Sequence, residues 1–489
     1  MDHEHTLVRT SELGHSRFVT SWPTLPTDDP VPTPERPFWT TEQRMMVQAL
    51  TDYKSNLGLC LGLRHLIAVA KKNSLITLGG TVKSFEQDID SGANEYATLL
   101  HTIPTGLRDS LIQGTLAYDY VKGKDVHGKE LEERGKFPGI YAVGIAIEGR
   151  DGAFINLDEC NKVADILENY ASAYEHLSAA QHEHSPLPAD AQQVIDAAFD
   201  LDLACGYARG PMLHYLDEFG QVANKEHLKQ LAKCFRRRHR ALQTLGCDAT
   251  VNMHQSPLYV GCTTRPMAER LAQHHYESIM ATVPSTSNLF LSLTLGALRY
   301  IGLNPYTVEV PIMPIWVKAH LPMGERLVTL LASSLVTQAG LNGVEAGSRA
   351  GTGMDLQLCD EAESYVAEKT KYFEENLDHT NLDLDDFERR TEGFENLKGA
   401  FQRLMSGEML NRVEDTIAKI EQLEVQAKAA LQMKDVIQEN LRKKKRRQER
   451  LAAQYAFNTG FNQLLRSITT RMGLEKDNTY GRTGGPPPE

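Results

Sequence analysis

The pattern of apolar and polar positions changes its period several times between residues 257 and 314. Leu258–Cys262 combines β-branched and aromatic residues with a glycine near its end, which predicts a short buried strand. Pro266 then stands where a helix would begin, and 267–275 continues with helical spacing. Apolar residues fall at helical spacing again in 289–301, and the β-branched Thr307–Val310 predicts another strand. This segment therefore predicts a strand, two helices and a second strand.

Three side chains of this segment have chemistry suited to phosphate groups. Arg270 and His274 lie four positions apart, so on a helix they share one face, beside the end of the strand that carries Tyr259. The planar guanidinium group binds phosphate oxygens, and phenol and imidazole groups can transfer protons. Together the three residue types indicate phosphodiester chemistry. Taken singly, each is also common in a protein core or on a solvated helix face.

This pattern resembles the second half of the GIY-YIG nuclease motif, in which a Tyr-hydrophobic-Gly strand precedes a helix with Arg and, four residues later, His. The first half is present as Gly139-Ile140-Tyr141, within a segment of alternating apolar residues. Tyr141 and Tyr259 are 118 positions apart, whereas the family joins these strands by a short connection. Either a helical insertion separates the two strands, or the first strand lies elsewhere, with Ala249–Met253 as the other candidate.

The residues after the second strand follow the order of the same family. Pro311 and Pro314 cannot donate to a sheet ladder, so this strand should lie at an edge or bend there. The family has a metal-binding Glu at the start of its next helix, so the resemblance implies that Glu325 holds Mg²⁺ or Mn²⁺. It also implies a supporting role for Asn342, near the phosphate or in shaping the site. Glu325 could equally stabilise a helix N-terminus, and Asn342 could be a helix C-cap.

The resemblance also implies roles for the other residues. Arg270 would stabilise the charge that develops on the phosphate oxygens. Tyr141 or Tyr259, helped by His274, would position or deprotonate the attacking water. His275 is the alternative to His274 if the helix is one residue out of register.

We expect an α+β protein in which a small mixed sheet of about three strands is flanked by helices, as the GIY-YIG resemblance implies. A helical N-terminal region, a helical insertion and a C-terminal coiled coil extend this unit. The expected organisation is a disordered Pro-rich N-terminus (1–40), a helical region (41–136), a GIY-YIG-like domain (137–351) with a helical insertion at about 150–250, an acidic linker or helix (352–408), a long helix or coiled coil (409–468) and a flexible tail (469–489).

Charge is distributed unevenly along the chain. The formal net charge of −12 is unfavourable for a nucleic-acid-binding protein taken as a whole, but basic residues concentrate in two clusters. Either cluster could contact phosphates or form a solvated basic helix face, and the second could be a nuclear import signal. The clusters are Arg236, Arg237, Arg238 and Arg240, and Lys443, Lys444 and Lys445.

Three observations bear on the compartment. No run approaches the roughly 18 uninterrupted apolar residues of a membrane helix. The polar N-terminus is unlike a secretory signal peptide, and the seven cysteines form no Cys-x-x-Cys pair. We therefore expect a protein of the nucleus or cytoplasm that is neither membrane-bound nor secreted.

The leading functional prediction is a GIY-YIG-like, metal-dependent endonuclease that hydrolyses nucleic acid, DNA rather than RNA. The alternative is a catalytically inactive GIY-YIG-fold scaffold or adaptor that acts, and can self-associate, through its coiled coil at 409–468. The acidic balance and the separation of the first two strands favour this alternative. A third reading is a chromatin- or RNA-associated adaptor that uses only the basic clusters.

Overall fold

The computed structural model describes residues 7–9, 17–19, 39–53, 55–62, 95–183, 187, 189–210, 213–214, 222–244, 246, 248–281, 288–343, 353–404 and 410–471. The chain forms two compact units, Met1–Ala427 and Lys428–Glu489. The strands in chain order are β1 (Leu7–Arg9), β2 (Arg17–Val19), β3 (Gly139–Ile147), β4 (Tyr259–Thr263) and β5 (Pro305–Pro314).

Helices make up most of the described chain. Residues 57–62 and 95–101 are also helical. The helices with defined ends are α1 (Thr41–Asp52), α2 (Thr105–Gln113), α3 (Leu116–Gly135), α4 (Leu157–Glu183), α5 (Ala189–Ala204), α6 (Val222–Thr244), α7 (Met267–Ala272), α8 (Tyr276–Ala281), α9 (Leu289–Tyr300), α10 (His320–Leu331), α11 (Leu356–Ser364), α12 (Tyr372–Leu404) and α13 (Leu410–Arg471). A 3₁₀ turn (Val336–Gln338) follows α10, and a π-helical turn (Tyr365–Lys369) follows α11.

The central sheet has three strands in the order β4–β3–β5. Both pairings are antiparallel. The expectation of a mixed sheet was therefore wrong, because the sheet is entirely antiparallel. Tyr141 of β3 stands opposite Gly261 of β4, which confirms that Gly139–Ile147 pairs with the Tyr259 strand. Ala249–Met253, the alternative partner, forms no strand. The α+β class is therefore confirmed.

Pro311 and Pro314 of β5 lie at the edge of the sheet, as predicted from their lack of a backbone N–H group. β5 is an edge strand, and its register against β3 shifts between Met313 and Pro311. One extra β5 residue, Ile312, is accommodated there, which is the arrangement of a β-bulge. Both alternatives given for these prolines, an edge position and a bend, therefore hold.

The first and last residues of the insertion between β3 and β4 lie next to each other. The backbone N–H of Phe154 donates to the carbonyl of Met253 at 2.7 Å, and Leu157 N–H donates to Ala249 at 3.1 Å. The two ends of a segment of about 100 residues are thus held side by side. Its helices α4, α5 and α6 form a core with the side chains of Val143, Ile145 and Ile147. The insertion therefore covers one face of the sheet.

Side chains of β3 alternate between two environments, as in any strand. Tyr141 and the odd-numbered residues after it face the core that the insertion helices build. Ile140 faces the other way and contacts the α10 backbone at Gly324. We call the Tyr141 side the insertion face and the Ile140 side the α10 face.

The acidic segment expected as a linker or helix, 352–408, docks on the N-terminal helical region. Asn376 Nδ2 donates to the carbonyls of His101 and Ile103, both at 2.9 Å. The hydroxyl of Thr380 lies 2.9 Å from His101 Nε2, and Asp383 accepts from the Ser55 N–H at 2.9 Å. Polar residues of α12 are thus partners of backbone and side-chain groups in the N-terminal helical region.

The long C-terminal helix is present where the sequence predicts it. Leu410–Arg471 is a single helix of 62 residues, which at 1.5 Å per residue spans about 93 Å. Its pairing as a coiled coil stays a prediction. Among the residues that the structure describes, no helix has the length and apolar character needed to cross a membrane.

In the N-terminal segment expected to be disordered, β1 and β2 pair antiparallel with each other. The remaining residues of 1–38, and the tail from 472 onwards, lie outside the described residues.

Candidate active site

The insertion face brings together an arginine, a tyrosine and a histidine from distant parts of the chain. Arg270 Nε donates to the phenol oxygen of Tyr141 at 3.3 Å, and that oxygen lies 2.9 Å from His274 Nε2. Tyr259 contributes its ring, with centroids 6.5 Å from Tyr141 and 5.1 Å from His274. We call these four residues the tyrosine cluster.

Glycine at position 261 makes this arrangement possible. Gly261 lies directly opposite Tyr141 in the sheet, and the Tyr141 ring lies across it. A Cβ atom at 261 would stand only 2.4 Å from the Tyr141 hydroxyl oxygen. The glycine of the Tyr-x-Gly strand therefore leaves the space that the Tyr141 ring occupies.

Helix α7 is shorter than the sequence predicts. It ends at Ala272, so His274 lies in the turn that follows, where its N–H donates to Leu271 at 2.8 Å. The turn still directs His274 to the same side as Arg270. His274 is buried, at 1% exposure, whereas His275 is exposed. The histidine of the cluster is therefore His274, and the one-residue alternative is not needed.

Hydrogen bonding links the three polar members of the cluster through the Tyr141 oxygen. Because the arginine can only donate, the Tyr141 oxygen accepts from Arg270 Nε. Between Tyr141 and His274 Nε2 the donor is the phenol or the imidazole, according to which ring nitrogen carries the proton. The other ring nitrogen, Nδ1, is buried and has no hydrogen-bond partner among the described residues. A buried polar atom without a partner is energetically unfavourable.

Burial keeps both central groups neutral. It raises the pKa of Tyr141, with a further contribution from Tyr259, although the charge of Arg270 opposes the rise. Burial, with a further contribution from the charge of Arg270, lowers the pKa of His274 to about 3. At pH 7 the cluster is therefore a charged guanidinium joined to a neutral phenol and a neutral imidazole.

Arg270 connects the buried cluster to the surface. It is partly exposed, and its Nη1 donates to Gln273 Oε1. Within the described chain Nη2 has no hydrogen-bond partner. Gln273 was not among the predicted site residues, although its position three residues after Arg270 in the predicted helix indicates the contact.

Asn342 binds the edge of β4. Its Oδ1 accepts from the N–H of Val260 at 2.8 Å, and its Nδ2 donates to the Val260 carbonyl at 2.6 Å. The side-chain amide of Asn342 therefore satisfies both the N–H and the carbonyl of Val260, as the backbone of a neighbouring strand would. This geometry shows that Asn342 holds β4 through the backbone of Val260 rather than capping a helix.

Glu325 lies on a different side of the sheet from the tyrosine cluster. Helix α10 begins at His320, so Glu325 belongs to its second turn, beyond the first-turn position favoured by the helix dipole. The side chain is partly exposed. The neighbouring Gly324 packs on Ile140, so α10 lies on the side of the sheet opposite to Tyr141. The described residues contain no group of three or more His, Cys, Asp or Glu side chains placed to hold a metal.

A second carboxylate, Glu309, does lie on the insertion face. It stands opposite Val143, on the side of the sheet that carries Tyr141. The Thr307 hydroxyl donates to it at 2.5 Å. Burial raises the pKa of Glu309, whereas Thr307 and the charge of His275 oppose the rise. Glu309 was not among the predicted site residues, although the alternation of side chains along a strand at Thr307–Val310 places Thr307 and Glu309 on the same face.

The first basic cluster is largely engaged within the protein. Arg236 forms ion pairs with Asp165 and with Glu168 at 2.8 Å, both on α4. Arg238 is 7% exposed and lies 3.5 Å from the carbonyl of Gln255. Arg237 and Arg240 remain exposed, as do Lys443 and Lys445, whereas Lys444 is half-buried. Two of the four arginines predicted to bind nucleic acid are thus committed to internal contacts.

Comparison with known proteins gives no assignment. No family model, no curated protein and no solved structure matches this chain. The function must therefore be inferred from the geometry of the tyrosine cluster.

Proposed function

We propose that the insertion face is the active site of a GIY-YIG-like, metal-dependent nuclease that hydrolyses phosphodiester bonds, in DNA rather than RNA. The observation that carries the proposal is the hydrogen-bonded series Arg270–Tyr141–His274. Its members come from two elements separated by a long insertion. They meet in the order that the resemblance implies, beside Tyr259.

In this proposal the cluster orients Arg270 for a phosphate. Tyr141 fixes Nε, and Gln273 holds Nη1, so the guanidinium plane is set before substrate arrives. A preorganised cation of this kind stabilises charge that develops on phosphate oxygens in the transition state. The buried, neutral state of Tyr141 and His274 suits this positioning role better than deprotonation of water. When bound, Mg²⁺ or Mn²⁺ supplies further charge stabilisation at the scissile phosphate.

The test measures cleavage of plasmid and single-stranded DNA, and of RNA, with Mg²⁺ or Mn²⁺. Arg270→Ala should reduce cleavage at least a hundredfold, because one preorganised transition-state donor is typically worth about 10²–10³ in rate. Tyr141→Phe should reduce it less, since the ring remains while the Arg270 contact is lost. Arg265→Ala is the matched control, since Arg265 is exposed on the loop before α7. Equal cleavage by wild type and Arg270→Ala would refute the assignment.

The second candidate is a non-catalytic scaffold with this fold. The burial of Tyr141 and His274, each 1% exposed, favours it, because a substrate cannot reach either group directly. The internal ion pairs of Arg236 favour it too. In that case no tested substrate is cleaved, and the long α13 helix mediates self-association. Light scattering on the full chain and on a variant lacking 409–465 measures this: the scaffold requires an oligomer that the deletion dissociates.

A further inference from the structure

A buried arginine outside the tyrosine cluster contacts the strand residue that stands opposite Tyr141. Arg134, in the last turn of α3, is 1% exposed. Its Nη1 donates to the carbonyl of Pro311 at 3.2 Å, and its Nη2 forms an ion pair with Glu130 at 2.5 Å. Pro311 is the partner of Tyr141 in the sheet and lies beside the bulge of β5. Because a bulge disrupts the ladder locally, the arginine supplies a donor where the two strands pair irregularly.

The residues directly after this arginine hold the start of α7. The carbonyl of Phe137 accepts from the N–H of Met267, the first residue of α7, at 2.9 Å. The backbone of Gly135 lies against the same helix, since a Cβ atom there would stand 3.5 Å from the Cβ of Ala268. Arg270 follows within the first turn of α7. The end of α3 therefore contacts both elements that meet at the tyrosine cluster.

Two tyrosines of the C-terminal segment cover the end of α3. The guanidinium carbon of Arg134 lies over the ring of Tyr372, 5.6 Å from its centroid, at the start of α12. A cation over an aromatic face is attracted by the ring, and more strongly where water is excluded. The Tyr365 hydroxyl donates to the carbonyl of Glu130 at 3.2 Å, and its ring centroid lies 5.0 Å from that of Phe137.

The turn that joins these tyrosines is a π-helical turn, Tyr365–Lys369. Such turns are rare and are frequently found at functional sites. Burial of a charged group is costly unless the group is paired and hydrogen-bonded. Arg134 therefore depends on the ring of Tyr372 as well as on Pro311 and Glu130. The segment that covers the arginine and the strand that the arginine contacts are thus connected through one side chain.

We propose that Arg134 is a positioning residue for the tyrosine cluster, and that the C-terminal segment 365–372 regulates the site by holding Arg134 in place. Arg134 acts through Pro311, opposite Tyr141, and through the start of α7. Displacement of 365–372 loosens the contact between Arg270 and Tyr141. The catalytic effect of this positioning rests on the proposed function, whereas the positioning itself is measured without substrate.

Hydrogen exchange of the Arg270 Nε–H group measures the positioning, by NMR on the full chain with isotope-labelled arginine and no nucleic acid. This group donates to Tyr141, so its exchange reports local opening of the cluster. Arg134→Gln should accelerate the exchange at least about tenfold, because the amide cannot keep the ion pair and the contact with Pro311 together. Arg134→Lys keeps the charge and should recover part of the protection. Tyr372→Leu should accelerate the exchange by a smaller factor, since only the attraction of the ring is lost.

Arg108→Gln is the matched control. Arg108 is also 1% exposed and is paired with Asp109 at 2.7 Å, but it lies on α2. This variant should lose stability without faster exchange at Arg270. Circular dichroism and urea unfolding establish that each variant is folded and measure its free energy of unfolding.

Unchanged exchange at Arg270 in Arg134→Gln overturns the inference. Equal acceleration in Arg108→Gln also overturns it, because the effect would then be general destabilisation. If Arg134→Gln does not fold, Tyr372→Leu decides, and unchanged exchange in that variant refutes the role of 365–372.

Failure of the proposed function is distinguishable from failure of this inference. If exchange responds as expected but the wild type cleaves no substrate, the positioning stands and the nuclease proposal falls. If the wild type cleaves, Arg134→Gln should lower kcat more than it raises KM, because the orientation of a transition-state donor is lost. An effect on KM alone would contradict the positioning role.

Discussion

Replacing Gly261 with alanine tests directly whether the Tyr141 ring is fixed by the tyrosine cluster. The new methyl group would lie 2.4 Å from the Tyr141 oxygen and 2.6 Å from the ring carbon that bears it. Ordinary contact distances exceed 3 Å, so the ring or the strand must move. Tyr141 is 1% exposed and hydrogen-bonded to two partners, which leaves it little room.

The expected change in the free energy of unfolding follows from three effects, of which two destabilise the protein and one stabilises it. Overpacking a filled core typically costs about 1–3 kcal/mol. Displacing the phenol also leaves His274 Nε2 buried without its partner, which costs about 1–3 kcal/mol more. Alanine itself is favoured over glycine in a strand by about 0.5–1 kcal/mol. We therefore expect Gly261→Ala to lower the free energy of unfolding by about 3 kcal/mol.

Guanidinium unfolding followed by circular dichroism measures this loss. Gly393→Ala is the control, because Gly393 is exposed in helix α12 and a Cβ there meets nothing within 4 Å. The same substitution should there stabilise the protein by about 0.5–1 kcal/mol. Combining Gly261→Ala with Tyr141→Leu should recover at least about 1 kcal/mol relative to additivity. A loss below about 1 kcal/mol for Gly261→Ala alone, smaller than overpacking predicts, would refute a fixed ring.

Three further predictions concern buried polar groups and the backbone. Asn342→Ala should cost about 2–4 kcal/mol and accelerate amide exchange at Val260, because it leaves the N–H and carbonyl of Val260 without their partner; unchanged exchange would contradict the role of Asn342. Ser333 has φ at +46°, a backbone conformation that glycine adopts more easily, so Ser333→Gly should increase the free energy of unfolding by about 1 kcal/mol and raise the thermal midpoint. A lower midpoint would show that the serine hydroxyl stabilises the protein by more than the backbone strain costs. Burial lowers the pKa of His101 to about 4 and that of His274 to about 3, so the unfolded state binds protons first. The contribution of these two histidines to the free energy of unfolding should therefore be fully present above about pH 6.5 and fall by about 1.4 kcal/mol per pH unit per histidine towards pH 4. In urea titrations at several pH values, His101→Gln should show a smaller dependence of this free energy on pH.

The sheet could be predicted because its sequence signals are local. β-branched residues, Pro-Gly boundaries and a literal Gly-Ile-Tyr fixed the positions of Gly139–Ile147 and the Tyr259 strand to within about two residues. Their pairing was also predicted, since loop-closure entropy rises only slowly with the length of an insertion. Nothing in the local pattern showed that the ends of the insertion would hydrogen-bond to each other, because that depends on how its helices pack.

The expectations that the structure modifies depended on which side chains become buried. Arg236 and Arg238 look like an exposed basic patch in sequence, but α6 directs one to acidic residues of α4 and buries the other. Asn376 and Thr380 belong to the segment expected as an acidic linker or helix, and they bind backbone and side-chain groups of the N-terminal region. Long-range packing decides these cases, and helical periodicity alone does not identify the partner of a face.

The burial of the tyrosine cluster also limits what it can do. Tyr141 and His274 are both held neutral and shielded from water, so neither can exchange protons readily with a substrate on the surface. Arg270 is the member of the cluster that is both charged and partly exposed. Any action of the cluster on an anion outside the core must therefore pass through the guanidinium group. In the proposed function, Arg270 is therefore the residue that binds the phosphate, and the contact from Tyr141 holds its guanidinium group in position.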